Sequence, residues 1–257
     1  PNVIAVYDVE EVDGRLFIAM EYVDGVTLKS WLRAGKRSWR EIVAVLLRAG
    51  RGLAAAHAAG LVHRDFKPDN VLIGPGDRVR VSDFGLARAG NEELTTAPLS
   101  DDESSSSLSS SITRSNAIMG TPAYMAPEQF RGEAVDERSD QFAFAVALYE
   151  SVYATRPFAG EDGRTLKSEV ESGDVRPLKS SRGAPSKLRR ILLRALRPAS
   201  QERFARLSLL LDELESLLGQ RRRSVTWAAI AMGIGLCGSA LFAFAHSRPP
   251  DCGGSEA

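Results

Sequence analysis

The chain has 257 residues, 44% of them hydrophobic and 26% charged, a composition that excludes disorder throughout and allows one large or two small domains. Thirty-three basic residues balance thirty-three acidic ones, which excludes the long-range positive field of a nucleic-acid-binding domain. The only cysteines are Cys237 and Cys252, so there is no disulfide framework and no cysteine zinc cluster, and the bulk reads as cytosolic.

Pro1-Asn2-Val3 has neither the basic start nor the apolar stretch of a secretory signal, and a chain opening on Pro rather than Met is expected to be a fragment cut upstream. Val3 to Val9 and Leu16 to Met20 are short β-branched-rich runs around the turn pair Asp13-Gly14, which reads as a hairpin. From Thr27 the apolar period lengthens to that of helices, and Ile42 to His57 predicts a helix closed by Gly60. Further helices are expected over Ser139 to Tyr153, Arg164 to Ser172, Ser186 to Leu196 and Ala205 to Leu218. The core is therefore expected to be largely helical.

Two segments depart from globular composition. Residues 91–116 are rich in serine, carry Asp101-Asp102-Glu103 and hold almost no large apolar residue, so they are expected to form a mobile loop. Thr226 to Ala245 carries no Asp, Glu, Lys or Arg and, at about 1.5 Å per residue, is long enough to cross a hydrocarbon core of about 30 Å. It reads as a transmembrane helix; a buried core helix of that length would show a polar face. Arg221-Arg222-Arg223 precedes it, and the positive-inside rule puts the preceding domain in the cytoplasm and residues 246–257 outside.

The chemistry concentrates in His63-Arg64-Asp65-Phe66-Lys67-Pro68-Asp69-Asn70, which precedes the apolar run Val71-Leu72-Ile73, and in Asp83-Phe84-Gly85 further on. Phosphoryl transfer needs a carboxylate near the acceptor hydroxyl, oxygen ligands for magnesium and positive charge on the moving group. The two motifs supply all three. With Ala126-Pro127-Glu128 after them, they resemble the catalytic core of the eukaryotic-type serine/threonine protein kinases, of the bacterial membrane-anchored kind.

The resemblance implies an α+β, kinase-like fold: residues 1–24 as small-lobe remnant and hinge, and 25–218 as a mostly helical large lobe with 91–116 as an activation-loop insert. A basic linker at 219–225, one transmembrane helix at 226–245 and a short tail complete it. It implies Asp65 as the carboxylate that orients the acceptor hydroxyl and takes its proton, Lys67 on the γ-phosphate, and Asn70 and Asp83 on Mg2+. ATP would be held at Met20, the backbone of Glu21 and Val23, and Leu72 beneath the adenine. Lys67 two positions after Asp65, and Thr121 in Gly120-Thr121-Pro122, follow the serine/threonine pattern, in which that threonine bonds the catalytic aspartate and lysine. Arg64 beside Asp65 implies control by loop phosphorylation, with Thr113 and Ser115 as the acceptors matching the bacterial members. Asp140 would anchor the backbone of the His63–Asp65 turn together with His57, and Glu128 would pair with Arg203.

The expected partners are protein substrates bearing Ser or Thr, and a membrane crossed once. Ala231, Gly235 and Ser239 recur every four residues, so a close helix–helix contact and a homodimer is one reading, ordinary span composition the other. Gly233-Ile234-Gly235-Leu236-Cys237-Gly238 fits GxGxxG but lies inside the span with no strand before it, so no nucleotide is expected there. A kinase also needs a glycine-rich loop, a strand lysine and a helix glutamate. These fall upstream of the hinge, so the polypeptide as it stands is expected to be inactive or nearly so. The rival expectation is a non-catalytic pseudokinase or scaffold displayed at the membrane.

Overall fold

Thr27 and Ser38 open the helical part of the chain. In the computed structural model, which describes residues 1–13, 15–84, 121–160, 162–178, 180 and 182–219, the Thr27 side chain accepts from the Ser30 N–H and starts α1 (Leu28–Arg33). Ser38 caps α2 (Trp39–Ala58) in a capping box with Glu41: the Ser38 hydroxyl accepts from the Glu41 N–H, and the Glu41 carboxylate accepts from the Ser38 N–H. Such a box satisfies donors that a helix start otherwise leaves unpaired.

Before α1 stands the hairpin β1 (Val6–Val12) and β2 (Arg15–Met20), antiparallel with Val12 opposite Arg15. Asp13 takes φ 51°, as a two-residue hairpin turn requires at its first position. The first strand begins and ends three residues later than the apolar run. Val3 instead bridges Val81 in parallel, and the ladder runs on through Glu10 and Glu11 because both side chains are exposed and only backbone groups need pair.

A second sheet has the order β3 (Val26–Thr27), β4 (Val71–Gly74), β5 (Arg78–Val81), all antiparallel. Residues 2–4 lie along β5: the Val81 N–H donates to the Asn2 carbonyl and the Ile4 N–H to the Val81 carbonyl, each at 2.9 Å. Asn2 also abuts α2 at Gly52, where a Cβ would stand 2.5 Å from the Asn2 carbonyl oxygen. That approach needs glycine.

The remaining helices are α3 (Pro127–Phe130), α4 (Glu137–Tyr153), α5 (Gly163–Ser172), α6 (Ser186–Ala195) and α7 over 207–219. α4 is apolar on every face from Phe142 to Leu148, so it can only be central. It packs against α2 and α6, burying Phe142, Phe144, Leu148 and Tyr149 among Leu46, Leu53, Leu188 and Leu192. Its buried Gln141 exchanges two hydrogen bonds with the Phe204 backbone, at 3.1 and 3.0 Å. The four helices after α2 that periodicity predicted are present, with ends within about two residues of expectation. The result is a mixed domain of helices and small sheets, and Pro1–Glu215 form one unit.

Among the described residues no helix is long and apolar enough to cross a membrane. The expected span 226–245, the tail 246–257, the linker arginines and the serine-rich 91–116, with Thr113 and Ser115, lie outside the described residues.

Candidate active site

The loop between α2 and β4 carries the first motif, and Asp140, 1% exposed at the start of α4, holds it. Its Oδ2 accepts the His63 N–H at 2.7 Å and the His57 Nε2–H at 2.8 Å, and its Oδ1 accepts the Arg64 N–H at 2.7 Å. A buried carboxylate requires such donors, and these three fix the turn that precedes Asp65. Arg64 sits at φ 68°, in the left-handed region where non-glycine residues are uncommon and strained. The Gln129 side chain clamps the same residue from α3: its amide donates to the Arg64 carbonyl at 2.9 Å while its oxygen accepts the Ala126 N–H at 2.9 Å.

His63 is wholly buried. Its Nε2–H donates to the Ser82 carbonyl at 2.8 Å and its Nδ1 accepts the Asp65 N–H at 3.3 Å, which defines the neutral tautomer. Burial pushes this imidazole below its ordinary value, against the opposing charge of Asp140. Its ring lies 4.6 Å from that of Phe84, so one histidine ties the Arg64–Asp65 turn to the segment bearing the second motif.

Asp65 Oδ2 lies 2.6 Å from Lys67 Nζ, and both side chains remain partly accessible. Asn70 donates its amide to the Asp65 carbonyl at 2.9 Å, which leaves its side-chain oxygen as the metal-capable atom. The Asn70 carbonyl accepts the Ser82 N–H at 3.0 Å, and the Ser82 hydroxyl donates to Asp83 Oδ2 at 3.1 Å. Asp83 is exposed at φ 61°, like Arg64 a left-handed non-glycine residue. The two motifs, apart in sequence, are thus stitched together through Ser82 and His63.

The expected adenine-side residues adjoin the same sheet. Arg80 of β5 pairs with Leu72 of β4 in register, and its Nε holds the Glu21 carboxylate at 3.0 and 3.2 Å. These bonds lower the Glu21 carboxyl below the ordinary carboxylate range. Leu72 is half-buried on the face opposite the buried Val71 and Ile73. Val23 borders Gly74, where a Cβ would stand 3.1 Å from Val23 Cγ1, and Met20 ends β2 with 37% of its surface exposed. Thr121 begins the 3₁₀ turn Thr121–Tyr124.

Below the loop, Arg203 donates to both oxygens of Glu128 at 2.7 and 2.8 Å, and the Ser139 hydroxyl donates to Glu128 at 2.7 Å. Burial alone would raise the Glu128 carboxyl, but Arg203 and Ser139 outweigh it and hold it below the usual range. Gln129 and Ser82 were not legible as site residues. Three residues after Ala126, Gln129 has helix-capping spacing, and nothing in the sequence signals its reach to Arg64.

A mixed helix and sheet domain in which a His-Arg-Asp turn, its lysine and asparagine, and an Asp-Phe segment meet in one place is a protein kinase domain. The protein kinase domain family model matches residues 1–213, and the chain belongs to that family. It is 31% identical over 219 residues to a "Probable serine/threonine-protein kinase" of Clostridium acetobutylicum, a match covering 84% of this chain and 31% of the relative. It is 33% identical over 210 residues to the serine/threonine-protein kinase PknB of Mycobacterium tuberculosis, covering 79% and 31%. It is 39% identical over 172 residues to PknA of the same species, covering 65% and 36%. The chain spans about a third of the length of these relatives.

Proposed function

We propose that the protein is a serine/threonine protein kinase that transfers the γ-phosphoryl group of ATP to Ser or Thr of protein substrates. The observation that carries this is the single cluster of Asp65, Lys67, Asn70 and Asp83, held by Asp140, His63 and Ser82. A structural role needs none of those four side chains in that arrangement.

Asp65 orients the acceptor hydroxyl and takes its proton. Lys67, already against Asp65, directs its ammonium charge to the phosphoryl group in flight, where charge stabilisation is the main catalytic need. The Asn70 oxygen and an Asp83 carboxylate that is both exposed and fixed by Ser82 are hard oxygen donors, and they fit Mg2+, which takes few protein ligands beside phosphate and water. When bound, ATP and Mg2+ supply the phosphoryl group and neutralise its charge. Adenine would lie against Leu72 and Met20. Glu21 offers its carbonyl, since its N–H donates to the Ala5 carbonyl at 2.8 Å, and Val23 offers its backbone.

The same reading assigns residues 1–24 to the small-lobe remnant and hinge and 25–218 to the large lobe, with Thr121 bonding the catalytic pair and Arg64 pairing with a phosphate carried by Thr113 or Ser115. Residues 226–245 anchor the protein in the cell membrane with the kinase domain cytoplasmic, by the positive-inside argument from Arg221-Arg222-Arg223; small residues at 231, 235 and 239 would support a homodimer.

The test is transfer of labelled phosphate from ATP to a generic protein acceptor by the protein carrying the glycine-rich loop, strand lysine and helix glutamate that the kinase reading places upstream of the hinge, with and without a magnesium chelator. Transfer that the chelator abolishes is expected; none with magnesium present would favour the scaffold. Labelling of Cys252 by an impermeant thiol reagent on intact spheroplasts tests the topology.

A further inference from the structure

A cleft of about 900 Å³ lies among α1, the Lys67–Asp69 turn, Tyr124 and the end of α4. Lys67 is part of its wall, and Lys67 Nζ is 2.6 Å from Asp65 Oδ2, so an occupant of the cleft is contiguous with the proposed acceptor position. Seven basic and two acidic side chains line it. Both acids are already engaged. Asp69 receives Lys29 at 2.9 and 3.1 Å, and Glu150 accepts the Tyr124 hydroxyl at 2.6 Å and Arg156 Nε at 3.1 Å. A basic peptide would have to displace an internal partner to reach either one.

The cations are differently placed. Among the described residues Arg33, Lys36, Arg37 and Arg182 form no ion pair with a carboxylate. Arg37 is held with its guanidinium 4.4 Å over the Trp31 ring, and its Nε is buried without an acceptor. The nearby Glu41 carboxylate feels the Arg37 charge, but its hydrogen bonds go to the Ser38 N–H and hydroxyl, at 2.8 and 2.7 Å. A buried donor left unsatisfied is costly, and a stacked guanidinium is pre-organised for a carboxylate.

We infer that this cleft recognises an acidic segment of the protein substrate, Asp or Glu side chains beside the acceptor Ser or Thr. This rests on the kinase reading for its biological meaning, but the binding does not depend on catalysis. The four cations that form no ion pair among the described residues, Arg33, Lys36, Arg37 and Arg182, supply the attraction, Arg37 a directional contact, and the internally neutralised Asp69 and Glu150 remove the competing preference for basic sequences.

The probes are two fluorescein-labelled peptides, each with one serine beside four glutamates or four lysines, titrated by anisotropy into the intact protein. The glutamate peptide is expected to bind at least about tenfold tighter at low salt, with the gap closing as salt shortens the Debye length toward about 3 Å at 1 M. Arg37→Gln, and separately the exposed pair Arg33→Glu and Lys36→Glu, should each weaken the glutamate peptide about tenfold while leaving the thermal midpoint in place; the surface pair keeps the test open if Arg37→Gln unfolds. Equal binding, a lysine preference, or no response to either variant would overturn the inference, as would capture of phosphatidylserine vesicles through these residues without peptide discrimination. Discrimination without phosphate transfer to either peptide, when the upstream glycine-rich loop and strand lysine are also present, would support the cleft and count against the kinase reading, so the two fail separately.

Discussion

Arg203 and Glu128 form a bidentate pair at 2.7 and 2.8 Å, the arginine 2% exposed, with the guanidinium also donating to the Arg197, Arg138 and Pro198 carbonyls. One side chain thus joins the turn after α6 to α3 and the start of α4, the elements that carry Gln129 and Asp140 up to the catalytic loop. Removing one partner of a buried pair strands the other charge and costs about 3–5 kcal/mol. Arg203→Met is therefore expected to lower the unfolding free energy by about that amount, whereas Arg203→Met combined with Glu128→Leu should recover part of it. Chemical denaturation of the single and double variants checks this.

The tie between the two motifs predicts a specific acid sensitivity. His63 is buried neutral, with its pKa below the unfolded 6.5. The unfolded chain therefore binds a proton near pH 6.5 that the folded chain refuses, and stability falls as pH drops below that value, by up to about 1.4 kcal/mol per pH unit. Glu128 acts in a lower window: its carboxyl is depressed from 4.5, so its contribution is present above that pH and lost below it. Thermal midpoints between pH 7.5 and 5 should decline in the wild type and flatten in His63→Gln.

The helices could be read from periodicity because each buries a stripe, or in α4 the whole circumference, and apolar spacing records burial directly. β3 was illegible because two residues are too few for any period to show, and α1, six residues long, was legible only as a helical period setting in at Thr27, without an end. Of the site, Asp140 with His57 and Glu128 with Arg203 were foreseen through the family resemblance, and the motif residues by their chemistry. Gln129 and Ser82 were not, because Gln129 reaches the Arg64 carbonyl and Ser82 holds His63 and Asn70 through backbone groups brought near by the fold, and a backbone partner leaves no trace in the sequence.

Gln129 is accessible to a test of its own. Its two hydrogen bonds link Ala126 to Arg64, so it positions the loop. Gln129→Ala should cost only about 1 kcal/mol of stability but lower kcat several-fold with little change in the KM for ATP. Gln129→Glu keeps the acceptor for Ala126 and loses the donor to Arg64, so it should reproduce the kcat loss. A stability change without a kcat change would assign Gln129 to helix capping alone.

Asp65→Asn keeps the shape of the loop and removes the carboxylate proposed as the base. In the intact protein it should reduce phosphate transfer on the order of 10² to 10⁴-fold while sparing nucleotide binding. Asp83→Asn removes a hard anionic ligand and should weaken magnesium-dependent nucleotide binding as well. Calorimetry with a non-hydrolysable ATP analogue, run with and without magnesium, separates the two; equal loss of binding in both variants would reverse the assignment.

Arg64 carries the last prediction. Its backbone is held on both sides, N–H by Asp140 and carbonyl by Gln129, at φ 68°, which presents its exposed side chain from a fixed base next to Asp65. A phosphate on Thr113 or Ser115 brings about −1.5 to −2 charge and acceptor oxygens suited to a guanidinium. Dephosphorylation of the intact protein is therefore expected to lower its activity, and Thr113→Ala with Ser115→Ala should hold it at that lower level. Arg64→Ala should make activity the same whether or not the loop carries phosphate, since the receiving charge is gone. Mass spectrometry paired with rate measurements on the four forms checks this; an unmodified loop at full activity, or phosphate dependence that survives Arg64→Ala, would remove Arg64 from the regulatory role.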